Sequence, residues 1–216
     1  MLDSAWVVQA VTNLILLVLS LTVHEFAHAW MAWRLGDDTA ARAGRLTLNP
    51  LPHIDPFGTL LLPLLNAPIG WAKPTPVDVS RVRRGIRMST ADILISAAGP
   101  VSNLLFAVVG AVVYGSMARF APGSLEAPGV VILLERLMLV NASLCVFNLL
   151  PIPPLDGGHV AGHFVPQRWR GAWESFARYA PLLLLAMLML GRGIPGLYVP
   201  IQFLYGAVRQ IAVAIA

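Results

Sequence analysis

Long apolar runs alternate with short, proline-rich polar stretches along this chain, and the run lengths predict most of the fold. The first run spans Trp6 to Trp33 and holds 28 residues. As a helix it would measure about 42 Å, more than the roughly 30 Å hydrocarbon core of a bilayer requires. Its terminal tryptophans suit the membrane–water boundary, and Arg34 closes it. A second run, ADILISAAGPVSNLLFAVVGAVVYGSMA at 91–118, predicts another spanning helix; its clustered Ala98, Gly99, Ser102 and Asn103 suit close packing against a neighbour. A third, about 129–150, ends abruptly at PIPPLDGGH, and a fourth, YAPLLLLAMLMLG at 179–191, is short for a span. The tail from Gly196 to Ala216 is apolar with one charge, Arg209, a pattern that fits either crossing the membrane or lying flat on it.

Residues 36–91 read differently. Proline and glycine are dense there, which argues against helix. GRLTL and AKPTPVDV alternate in the manner of short edge strands. FGTLLLPLL is apolar enough to enter the membrane, where non-helical backbone persists only beneath protein or against a wet cavity. The expectation is an α-helical integral membrane protein with about four to five transmembrane helices. A short membrane-associated β-hairpin or loop insertion follows the first helix. The 216 residues are expected to form a single membrane-embedded domain, 1–216.

Composition agrees. The chain is 57% hydrophobic and 12% charged, about half the charged share of an ordinary soluble domain, and its mean hydropathy is +0.71. The one cysteine, Cys145, excludes an internal disulfide framework and a cysteine-rich zinc site. A net charge of +4 is spread over short loops beside apolar runs, a poor match for nucleic acid. MLDSAW lacks the positive start of a signal peptide, so the first run is read as part of the mature chain. Eight of the fifteen Lys and Arg lie between Arg34 and Arg87, and Arg168, Arg170 and Arg178 follow the third run. Arg119 stands alone on the other side before the third run. Basic loops favour the cytosol, which predicts that 34–91 and 160–178 are cytosolic and the N-terminus is outside.

Candidate chemistry begins inside the first run, at HEFAH. His24 and His28 are four residues apart, hence on one face of a helix and able to share a zinc ion. Glu25 lies beside them as a base for water. A polar patch facing another helix is the plain alternative, but ionisable groups in a spanning helix are costly and by default functional. Counted back from Arg34, His24 is about 15 Å and His28 about 9 Å from the cytosolic end. A catalytic zinc ion usually takes three protein ligands, and the candidates for the third are His53, Asp156, His159 and His163. Asp156 is favoured by its setting: NLLPIPPLDGGH starts on a helix, breaks at Pro151 near the same depth, and unwinds through prolines to Gly157 and Gly158. Its plain alternative is a helix N-cap. His159 and His163, also four apart, suit interfacial or supporting roles.

Taken in order, HEFAH, AGRLTLNPLPHIDPFGT, GWAKPTPV, AAGPVSN and NLLPIPPLDGGH resemble the site-2 protease family, in particular its small bacterial members without a PDZ domain. The resemblance covers about residues 20–165. It implies intramembrane proteolysis with one zinc ion held by His24, His28 and Asp156, and Glu25 as catalytic base. Asn148 matches a family asparagine that helps bind the oxyanion or the substrate. The GRLTL loop resembles the family's membrane-associated β-structure, whose edge can pair with an extended substrate. The implied substrate is a transmembrane protein, and the implied location is the bacterial cytoplasmic membrane with the active site toward the cytosol. Two rivals are a non-proteolytic membrane metal-binding protein, such as a carrier or pseudoenzyme, and a soluble-facing zinc protease merely anchored in the bilayer. The presence of Glu25 argues against the first, and the apolar flanks of HEFAH against the second.

Overall fold

The computed structural model describes residues 4–64, 70–189 and 196–216. Helix α1 (Ser4–Leu35) runs unbroken for 32 residues, with neither proline nor glycine in it. It stops at Gly36, whose φ of 111° only glycine adopts freely. The Gly36 N–H bonds Trp33 O (3.1 Å) and the Asp37 N–H bonds Ala32 O (2.9 Å), which closes the last turn. Trp33 is exposed at that end; the other expected anchor, Trp6, has its side chain outside the described residues. A short helix α2 (Thr39–Arg42) follows.

The expected β-hairpin is not there. Among the described residues the chain is helix, turn and irregular loop, with no strand. In GRLTL the side chains divert the backbone: Thr47 Oγ1 accepts from Asn49 N (3.1 Å), Asn49 Oδ1 accepts from Leu51 N (3.1 Å), and buried His53 donates from Nε2 to Thr47 O (2.9 Å). Such local bonds compete directly with a strand ladder. In 71–78 the backbone is irregular: Thr75 N and Asp78 N donate to carboxylates on or just after α1 and Lys73 N to the His53 carbonyl. Alternation in sequence therefore records a strap across α1 rather than a sheet edge. FGTLLLPLL forms a π turn (Pro56–Leu61) and one α turn, α3 (Leu62–Leu64), packed against α1; its last residue, Leu65, lies outside the described residues.

Helix α4 (Met88–Phe120) is the centre of the bundle and packs on α1, α5 (Pro128–Asn148), α6 (Asp156–Gly162) and α8 (Tyr198–Ile215). Its two faces separate cleanly: Val101, Leu105 and Val109 are exposed, and Gly99, Asn103, Ala107 and Ala111 are buried. Ala107 and Ala111 meet Met138 of α5 and Val208 and Ala212 of α8. Small residues allow the close approach, since lipid supplies no hydrophobic force between helices. At Gly115 a Cβ would sit 2.5 Å from Ala212 O. Arg119 donates to Ile215 O (3.3 Å), so α8 ends beside the end of α4 and runs parallel to it.

Among the described residues, four helices are long and apolar enough to cross a membrane: Val7–Leu35, Met88–Phe120, Gly129–Asn148 and Tyr198–Ile215. The last is the tail that the sequence left open between spanning and lying flat. The 179–191 run instead continues α7 (Arg170–Met189), and its residues 190 and 191 lie outside the described ones.

Candidate metal centre

The HEFAH turn of α1 faces α4. His24 Nδ1 lies 2.7 Å from Asn103 Oδ1, and His28 Nδ1 donates to the Ile95 carbonyl at 2.7 Å. Gly99, between those two positions, is where the rings come to rest: a Cβ there would sit 2.4 Å from His28 Nε2 and 2.5 Å from His24 Cε1. With both Nδ1 atoms engaged outward, the two Nε2 atoms face each other at 3.0 Å.

Asp156 reaches the same point from the turn that follows α5. Helix α5 stops at Asn148, the chain turns through 149–155, and α6 begins at Asp156. The turn folds tightly because Gly157 and Gly158 carry no side chain: a Cβ would meet Leu149 O at 2.3 Å or Pro153 N at 2.5 Å. The residue before Asp156, Leu155, is the N-cap, so the carboxylate is free to point inward. Asp156 Oδ2 lies 3.2 Å from His24 Nε2, and Oδ1 lies 3.4 Å from His28 Nε2.

These residues form the group of His, Cys, Asp and Glu side chains able to hold a metal ion among the described residues, their ligand atoms all within 4.8 Å of one another. The fit can be judged from the donor set. A carbonyl can only accept, so His28 Nδ1 carries its proton and Nε2 presents a lone pair. Asp156 Oδ2 is buried and has no hydrogen-bond partner. Lone pairs converging in a buried place repel unless a cation or proton sits among them. Two imidazole nitrogens and one carboxylate, with room for one more ligand, match a catalytic zinc site.

Glu25 extends toward the 70–78 strap, where Thr75 N–H donates to its Oε2 (2.8 Å) and Thr75 Oγ1–H to its backbone oxygen (3.1 Å). Arg45 is buried nearby, donating to Lys73 O. Burial pushes its guanidinium pKa down and the charge of Glu25 pulls it back up, so a buried cation lies within electrostatic reach of the carboxylate. A cavity of about 630 Å³ brings His24, Glu25, His28, Asn148 and Asp156 onto one surface. The Asn148 amide there rests on Leu144 O (3.0 Å), one turn back in its own helix.

The remaining histidines lie elsewhere. His53 is buried in the 47–53 loop, His159 lines the cavity without joining the cluster, and His163 donates to Asp92 Oδ2 (2.6 Å). Of the four candidates for the third position, Asp156 is the one lying against the imidazole pair. In the sequence Asn103 fits a packing role and Asn141 has no assigned one, yet Asn141 Oδ1 accepts from Asn103 behind His24 (2.9 Å). Their signal was being polar within spanning helices.

The profile of Peptidase family M50 matches residues 115–191. Two relatives share the name "Putative zinc metalloprotease". One is YwhC of Bacillus subtilis (strain 168), 41% identical over 175 residues, 80% of this chain and 78% of that protein. The other is Rip2 of Mycobacterium tuberculosis (strain H37Rv), 33% identical over 173 residues, 80% of this chain and 64% of that protein. No solved structure matches the chain significantly. The long apolar helices and the relatives together define a multi-pass membrane metallopeptidase. The chain belongs to peptidase family M50, the site-2 protease family.

Proposed function

We propose that this chain is an intramembrane zinc endopeptidase, one membrane-embedded domain over 1–216, that hydrolyses peptide bonds within or near the transmembrane segments of other proteins. The observation that carries this reading is the convergence of His24, His28 and Asp156, with Asp156 Oδ2 left unpartnered, beside a buried carboxylate on the residue after His24. His24 Nε2, His28 Nε2 and Asp156 would hold one zinc ion. Bound there, zinc supplies Lewis acidity toward the scissile carbonyl and makes water acidic enough to attack near neutral pH.

Glu25 takes the proton from the attacking water as its oxygen joins the carbonyl carbon. As the C–N bond breaks, Glu25 returns the proton to the leaving amine. Thr75 N–H holds the Glu25 carboxylate in place for both transfers. Asn148, released from Leu144 O, donates to the oxygen that gains negative charge. A helical substrate must unwind locally first, because its peptide groups are shielded in the helix.

Elemental analysis tests the ligand set. Purified wild type carries one zinc per chain, and His24→Ala and Asp156→Ala lose most of it. Full zinc in Asp156→Ala defeats the third-ligand assignment. Cleavage by a metal-free wild type defeats the whole reading.

The active site faces the cytosol of a bacterial cytoplasmic membrane in this reading, supported by the basic residues of 34–91. Arg84 is exposed in that loop. Arg84→Cys in a Cys145→Ser background stays unlabelled by an impermeant thiol reagent in intact cells and labels once they are opened. Labelling in intact cells reverses the orientation.

A further inference from the structure

Ile95, Gly99 and Asn103 stand one turn apart on one face of α4, and each meets the imidazole pair. The Asn103 contact alone is ambiguous: a ring nitrogen either donates or accepts, and an amide fits either way round. Its neighbours remove the ambiguity. Leu137 O can only accept, and it lies 2.9 Å from the Asn141 side-chain nitrogen. Asn141 therefore turns its NH₂ that way and its Oδ1 toward Asn103, at 2.9 Å. Ser20 O, also only an acceptor, lies 3.2 Å from the same Asn103 nitrogen. Both neighbours demand the NH₂ of Asn103, which leaves Asn103 Oδ1 facing His24 Nδ1 at 2.7 Å, and that nitrogen must carry the proton. Asn141 is held from its other side as well, donating to Ser20 Oγ at 2.9 Å. Ser20, Asn103 and Asn141 are all 0% exposed, so water cannot stand in for any member.

We infer that Asn103, locked by Asn141 and Ser20, is a positioning residue that holds His24 in its Nδ1–H tautomer and so turns the Nε2 lone pair toward His28 and Asp156. The inference rests on reading that cluster as the zinc site, but the tautomer belongs to the metal-free protein and is measured there. Simple glue between helices would need the Asn103–Asn141 bond and no particular proton on His24.

The test uses the full chain in detergent, metal-free, with histidine labelled by nitrogen-15, the His24 ring signals being those lost in His24→Ala. Wild type shows His24 protonated at Nδ1 and bare at Nε2. Asn103→Leu, branched alike at Cγ but larger and unable to accept, shows the other tautomer mixed in. Its zinc affinity, from competition with a chelator, falls about 10- to 100-fold. Asn103→Asp keeps an acceptor toward His24, retains the wild-type tautomer, and stays closer to wild type in affinity. Circular dichroism and a monodisperse profile establish that each variant is folded. If Asn103→Leu does not fold, the wild-type and Asn103→Asp spectra decide. A wild-type His24 protonated at Nε2 overturns the inference. So does a folded Asn103→Leu with the wild-type tautomer or undiminished zinc affinity. A wild type with the expected tautomer and no zinc binding at all keeps Asn103's hold on His24 and overturns the zinc reading instead.

Discussion

Glu25→Gln keeps its zinc and loses cleavage by about 10²- to 10⁴-fold, the range for removing a general base. Glutamine has nearly the shape of glutamate, and its amide oxygen can still accept from Thr75 N–H, now 2.8 Å from Glu25 Oε2. The strap therefore stays where it is, and the cavity keeps its form. Zinc stays because Glu25 is not in the cluster of His24, His28 and Asp156. What disappears is a site that can take a proton from water and return it to an amine. The measurement pairs elemental zinc with cleavage of a reconstituted substrate carrying one transmembrane segment. Zinc retained with cleavage within about threefold of wild type removes Glu25 from the mechanism, since general-base loss costs far more. Zinc lost together with cleavage would instead make Glu25 a structural support of the metal site.

How much of this was legible beforehand follows from how local each signal is. HEFAH could be read because a helix converts a four-residue spacing into one face, and ionisable groups in so apolar a run need a reason to be there. The long helices could be read because bilayer thickness sets their length. Asp156 was legible more weakly, through a helix break placed at the right depth. The β-hairpin was misread because alternation is also what a strap shows when its donors go to Glu25, Asp37 and the His53 carbonyl. Asn103 was not legible as a partner of His24: the two are 79 residues apart, and Asn141 is a further 38 along. Nothing local in AAGPVSN or LVNASL says which helix their polar groups face. The tail was ambiguous for a similar reason. Its buried residues, Val208 and Ala212, pack against α4 and α5, contacts that hydropathy alone does not report.

Gly99→Ala adds one methyl group to α4 and is expected to strip most of the zinc and lower cleavage by about 10²-fold or more. The new Cβ would lie 2.4 Å from His28 Nε2, 2.5 Å from His24 Cε1 and 2.6 Å from His28 Cε1, where ordinary contact begins near 3.4 Å. The rings would have to retreat by about 1 Å, a displacement that costs about two orders of magnitude in a reacting geometry. They cannot retreat freely, because Ile95 O and Asn103 Oδ1 hold their Nδ1 edges at 2.7 Å from the same helix. The helix itself gains from the change, since alanine is favoured over glycine in a helix interior by about 1 kcal/mol. That gain is offset by the crowding of the rings, which costs about 1–3 kcal/mol, and by the loss of bound zinc, so circular dichroism and a monodisperse profile are what separate this outcome from simple unfolding. Gly110→Ala is the control on the same helix: its Cβ meets the flexible end of Leu137 at 3.2 Å, and zinc and cleavage should stay near wild type. The paired readout is zinc content and cleavage for both variants. Full zinc and full cleavage in Gly99→Ala would mean the imidazoles do not rest on this glycine, and the seating of His24 and His28 against α4 would have to be abandoned.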